Sequence, residues 1–267
     1  MKGKLLFTII LVAILTSWVI YTRIKYHDPY LYSWDSVQFA LSLESFDVSK
    51  HQPHPPGYLL YSYSLRALNL FWRDPNLTMI TLNIAATLGA CIFLALLISE
   101  LTYDRFLAFF SAVLYATNPI VWMYGCVAEI YAVEGFFVAL IMYSLFASLR
   151  RPTFILWSSF LMAVAGGFRP STEGFLLPIY IAFLARAQTR LLCVSILICA
   201  NLAWLIPLML LTGGPAHYFE ILTRQALVTA QIQDLSTRDI LLRLMQAISI
   251  PVLIAIFLRG SRMRVRK

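Results

Sequence analysis

Long apolar runs separated by short polar turns dominate this chain. A bilayer-spanning helix needs about 20 mostly apolar residues. Runs of that character lie at 5–22, 78–99, 106–123, 131–149, 153–168, 172–185, 191–212 and 241–258. They predict about eight transmembrane helices; the sixth run is short and the eighth carries Arg243. Two longer polar stretches, 23–77 and 213–240, read as loops. In the first, Asp35 to Phe46 places Val37, Phe39, Ala40, Leu41, Leu43 and Phe46 at helix-like spacing, with a polar remainder. Gly57 to Trp72 is apolar but holds Arg66. Such helices lie in the membrane interface rather than cross it. Pro55 and Pro56 forbid helix between them, and Gly57 allows a tight exit. The predicted fold class is all-α, a polytopic membrane helical bundle with interfacial helices in its first long loop.

Composition supports this pattern. The chain is 60% hydrophobic and 13% charged, against roughly 25% charged in a soluble domain. Met1–Lys4 and the apolar run to Tyr21 have no small-residue cleavage site, so a retained first helix is expected. The four cysteines show no metal or redox spacing and read as small buried hydrophobes. The +8 charge is unevenly distributed. With both termini cytoplasmic and eight spans, the inner side carries twelve of the 21 basic residues and only two of the 13 acids, Glu100 and Asp104. Every short inner connection then carries at least one arginine, the residue type the positive-inside rule counts. The basic tail Arg259–Lys267 is expected at anionic headgroups, and no nucleic-acid partner is expected.

Chemistry-bearing residues collect on the outer face. Trp34, Asp35, His51, His54 and Tyr58 lie in the first loop. Asp35 starts a helix, where it could cap free N–H groups or act as a general base; Ser33 could cap as well. His51 and His54 could orient the turn, bind phosphate or hold a metal, but a spacing of three in a Pro-rich segment gives no ligand geometry. Glu129 and Tyr131 occupy a short turn, with Glu134 one helical turn further on. An acid at that depth is costly unless paired or facing a cavity, and Glu129 is read as functional or cavity-facing rather than as a solvated loop acid. Arg169, in Gly166–Glu173, could pair with Glu173 or grip a phosphate with its planar fork. This asymmetry places the site outside, away from cytosolic nucleotide sugars. Asn76-Leu-Thr78 also fits a glycosylation sequon.

Trp34-Asp-Ser-Val-Gln-Phe-Ala-Leu41 with His51-Gln-Pro-His-Pro-Pro-Gly-Tyr58 resembles the first outer loop of GT-C-fold membrane glycosyltransferases, nearest the bacterial proteins similar to family 39, the protein O-mannosyltransferase-like proteins. Asn118-Pro, Glu129-Ile-Tyr131 and Gly167-Phe-Arg-Pro-Ser171 follow in the same order, so the resemblance covers most of 5–185. It implies inverting transfer of a sugar from a polyprenyl-phosphate carrier to an acceptor hydroxyl on a glycan, lipid or protein, outside a bacterial plasma membrane. By position Asp35 is the implied base and Glu129 the second acid. Some GT-C relatives bind a divalent metal through such residues; the mannosyltransferase-like ones imply no cofactor. Where that pattern has two adjacent acids, this chain has Asp35-Ser36. A transporter for lipid-linked sugar, or a non-catalytic assembly partner, is the alternative. The expected organisation is one integral-membrane domain: a 5–185 catalytic module, then C-terminal spans, the 213–240 loop and the basic tail.

Overall fold

A computed structural model describes residues 2–232 and residues 238, 239, 241, 242 and 245. Apart from those few positions, the expected eighth span and the whole basic tail lie outside the described residues. The helices are α1 (Lys2–Lys25), α2 (Trp34–Glu44), α3 (Leu59–Trp72), α4 (Pro75–Thr102), α5 (Arg105–Thr117), α6 (Pro119–Cys126), α7 (Tyr131–Ala147), α8 (Phe154–Phe168), α9 (Pro170–Leu184), α10 (Arg190–Leu211) and α11 (Pro215–Ile232). A 3-10 turn covers Val48–Lys50. The described residues form no strand beyond one isolated bridge, Asp47 with Gln52.

Capping residues set the helix starts. Asp74 accepts from Leu77 N at the head of α4, with Pro75 in the first turn, where a missing N–H costs nothing. Asp104 does the same for Phe106 N and Leu107 N of α5. Among the described residues two helices, α4 and α10, are long and apolar enough to cross a membrane. The α5–α6 pair makes a third if its 58° bend is counted within one span. Helices α7 and α8 are apolar but shorter, at 17 and 15 residues. The described helices therefore support a membrane protein with two or three candidate spans, fewer than the eight read from hydropathy.

Two expectations change. The 106–123 run is not one straight helix, because Asn118-Pro119 breaks it. Pro119 has no N–H to continue the ladder, and Asn118 Oδ1 accepts from Ile120 N and Val121 N to start α6 afresh. The 213–240 stretch is not a plain loop either. Gly213 and Gly214 end α10 with φ of +92° and +103°, and Pro215 opens α11.

The helices form two compact units: Met1–Ala40 with Leu65–Tyr143, and Leu41–Ser64 with Ser144–Lys267. The first is centred on Val19, Cys91, Ala112 and Ala116. Ala108, Ala112 and Ala116 lie four apart on one buried face of α5, and small residues at that spacing let helices approach closely. Arg23 is fully buried here. Its Nη2 donates to Ala116 O at 2.7 Å, and its Nη1 to Thr22 Oγ1 at 3.1 Å. The break at Asn118-Pro119 deprives the end of α5 of its helical donors, so Arg23 closes that end, with a cation placed where the helix dipole is negative. Gly125 makes room for it: a Cβ there would lie 3.0 Å from Arg23 Nε.

The second unit is centred on Val48, Leu59, Trp204, Leu208 and Tyr218. Trp204 Nε1 donates to Ala163 O at 2.9 Å, tying α10 to α8. A Cβ on Gly167 would meet Leu60 Cδ1 at 2.5 Å and Trp204 Cγ at 3.0 Å, so only glycine permits this approach. Cys91, Cys126 and Cys193 are buried as expected, whereas Cys199 is exposed.

Candidate functional site

The expected site residues divide between the two units. Trp34, Asp35, Glu129 and Tyr131 belong to the first; His51, His54, Tyr58 and Arg169 belong to the second.

In the first unit, Ser33 rather than Asp35 caps α2. Ser36 N donates to Ser33 Oγ and Ser33 N donates to Ser36 Oγ, both at 3.2 Å, a reciprocal pairing across the first turn. Asp35 is thereby relieved of the capping role and stands half-buried in that turn. Trp34 beside it is 74% exposed. Glu129 is 4% exposed, between α6 and α7. Its Oε1 accepts from Ser33 Oγ and, at 3.3 Å, from Ser36 Oγ. The turn that presents Glu129 is pinned from α4, where the fully buried Asn83 donates through Nδ2 to Val127 O and Glu129 O, each at 2.8 Å. Tyr131 opens α7, with its ring 4.5 Å from that of Tyr124. Nothing in the sequence marks Ser33 and Ser36 as partners of Glu129; for Asn83 the available signal is a lone Asn in a long apolar run.

In the second unit, the His51–Tyr58 segment is a rigid hook. Asp47 N donates to Gln52 O at 2.6 Å, and Gln52 N returns to Asp47 O at 2.9 Å. Asp47 Oδ1 accepts from Ser49 N and Ser49 Oγ, and Lys50 Nζ lies 2.9 Å from its Oδ2. The Ser49 hydroxyl, followed by Lys50, holds the Asp47 carboxyl below its ordinary value. His51 ends the 3-10 turn at φ +58°, in the left-handed region. The hook then turns through Gly57, at φ +110°, whose N donates to His54 O at 3.0 Å. The His54 and Tyr58 rings lie 4.7 Å apart. Tyr218 of α11 donates from its hydroxyl to Pro56 O at 2.9 Å, so the stretch expected to be a loop braces this motif. Burial raises the Tyr218 phenol above its ordinary pKa.

Arg169 joins α8 to α9 in extended conformation, with its Nε donating to Ser171 Oγ at 3.0 Å. Glu173, weighed above as its ion-pair partner, instead accepts from Asn201 Nδ2 at 2.8 Å. A Cβ on Gly166 would lie 2.0 Å from Glu173 Oε2, so glycine clears space for that acid. Among the described residues, no group of three or more His, Cys, Asp or Glu is arranged to hold a metal ion. The sequon is absorbed into packing: Asn76 Nδ2 donates to Asp28 O at 2.8 Å, and Thr78 is buried and donates to Asn69 Oδ1.

Residues 45–192, more than half of the chain, match the family model described as Protein O-mannosyl-transferase TMEM260 N-terminal domain. No curated protein and no solved structure matches the chain. The matched segment contains His51, His54, Tyr58, Glu129, Tyr131 and Arg169; Trp34 and Asp35 lie just ahead of it.

Proposed function

The chain belongs to the family of protein O-mannosyl-transferase TMEM260 N-terminal domains, and on that premise we propose that it is a GT-C-type membrane glycosyltransferase, related to family 39, that uses a polyprenyl-phosphate-linked sugar. The family match over 45–192 carries the glycosyltransferase part of this reading. The chemistry of the outer-loop residues supports the finer parts. The acceptor hydroxyl gives its proton to Asp35 as its oxygen attacks the anomeric carbon. The bond from that carbon to the carrier phosphate breaks, configuration inverts, and polyprenyl phosphate leaves with the electron pair. The Arg169 guanidinium matches phosphate oxygens in a two-pronged grip. His54 and His51 offer further donors, and Trp34, Tyr58 and Tyr131 offer aromatic faces to a sugar or isoprenoid. No resident metal is assigned a step.

The protein is integral to the membrane in this reading, multi-pass, with both termini cytoplasmic and the site on the outer face of a bacterial plasma membrane. The acceptor is a glycan, lipid or protein hydroxyl. A donor comparison on the purified full chain tests this. Radiolabelled polyprenyl-phosphate mannose, with a membrane extract as acceptor source, is expected to be consumed, and GDP-mannose is not. Consumption of GDP-mannose alone would overturn the donor assignment.

A further inference from the structure

We infer that Glu129 acts as a positioning residue that fixes the Asp35-bearing turn through Ser33 and Ser36, rather than as a second group touching the substrate. The inference rests on the reading of Asp35 as the base. Glu129 is 4% exposed, whereas a group that meets an acceptor or a sugar needs access to them. One carboxylate oxygen, Oε1, accepts from both Ser33 Oγ and Ser36 Oγ. Those serines flank Asp35 on either side and already cap α2 reciprocally. Glu129 is therefore a carboxylate docked from another segment onto the N-terminal turn of the Asp35 helix. There it meets the positive end of the helix dipole and two hydroxyl donors.

The segment that carries Glu129 is itself held. Asn83, fully buried in α4, fastens both Val127 O and Glu129 O, with Tyr124 O at 3.3 Å from the same amide nitrogen. A chain of hydrogen bonds thus runs from the long α4 helix through the 124–129 turn and Glu129 to Ser33 and Ser36. Asp35 stands between those two serines, so its backbone position is set from α4. Where the related pattern has a second acid beside the first, this chain has Ser36, which serves as an anchor point for Glu129.

Glu129→Gln, Glu129→Ala and the double variant S33A/S36A separate the roles. A glutamine oxygen still accepts from both hydroxyls, so E129Q is expected to keep kcat within about threefold of the parent. Misplacing a reacting group by about 1 Å costs on the order of 10²-fold. E129A is therefore expected to lose about 10²-fold in kcat, with the KM for polyprenyl-phosphate mannose unchanged, and S33A/S36A to fall in the same direction. Amide hydrogen exchange on the full chain in detergent gives a readout independent of activity. E129A is expected to speed exchange across residues 34–40 and E129Q to leave it unchanged. Two results would overturn the inference: E129Q as inactive as E129A, or E129A leaving exchange over 34–40 at the parent rate. An active Asp35→Asn would instead strike at the assignment of the base, and the exchange measurement would still decide the positioning role.

Discussion

Gly57 shows how tightly one position in the His-Pro-Pro-Gly hook is specified. Its φ of +110° is a conformation that side-chain-bearing residues rarely adopt. A Cβ there would also stand 2.7 Å from Leu208 Cδ1 and 3.1 Å from Val48 Cγ2. Gly57→Ala therefore meets backbone strain and a clash with the core of its unit. The expected cost is about 1–3 kcal/mol, read as a lower midpoint in thermal unfolding in detergent. L208A removes the closest clash and leaves the strain, so Gly57→Ala should cost less in the L208A background than in the parent. Single residues of this kind were partly legible in the sequence: Pro-Pro-Gly announces a tight turn, whereas the caps Asp74, Asp104 and Asn118 emerge only with the structure. The choice of Ser33 over Asp35 as the α2 cap was not legible, because both residue types suit that role and only the position of Glu129 decides between them.

At the scale of elements, hydropathy located the apolar runs well and their interruptions poorly. The run at 106–123 is apolar throughout, so its periodicity is blind to the loss of one N–H at Pro119 that bends it. Helix α11 was missed because its stretch is polar enough to read as loop; Tyr218, bonded to Pro56, is what gives it a buried face. The hook between α2 and α3 carries a pH dependence of its own. The Asp47 carboxyl is held below its ordinary value by Ser49 and Lys50. A carboxyl whose folded pKa is lowered stabilises the fold above its unfolded pKa, about 3.9, and that contribution is lost as pH falls through the lowered folded value. Amide exchange over residues 47–52 should therefore show growing loss of protection below about pH 4, after correction for intrinsic rates. Asp47→Asn should lower protection at neutral pH and flatten that added dependence. A parent and variant with parallel profiles would contradict the role given to Asp47.

At the scale of the molecule, the proposed topology turns the chemistry-bearing loops outward and the basic turns inward. The family match gives the glycosyltransferase class. Membership of half the chain in an O-mannosyl-transferase family could not have been reached from hydropathy, which describes any multi-helix membrane protein; the resemblance legible in the sequence rests first on Trp34–Leu41 and His51–Tyr58. The most direct measurement is transfer of mannose from radiolabelled polyprenyl-phosphate mannose by the purified full chain, compared with its Asp35→Asn variant. Removing a general base typically costs 10²–10⁴-fold. The parent is expected to consume the donor, and D35N to fall by about 10²-fold or more while unfolding at the parent temperature. A D35N variant that transfers mannose at the parent rate would contradict the role given to Asp35.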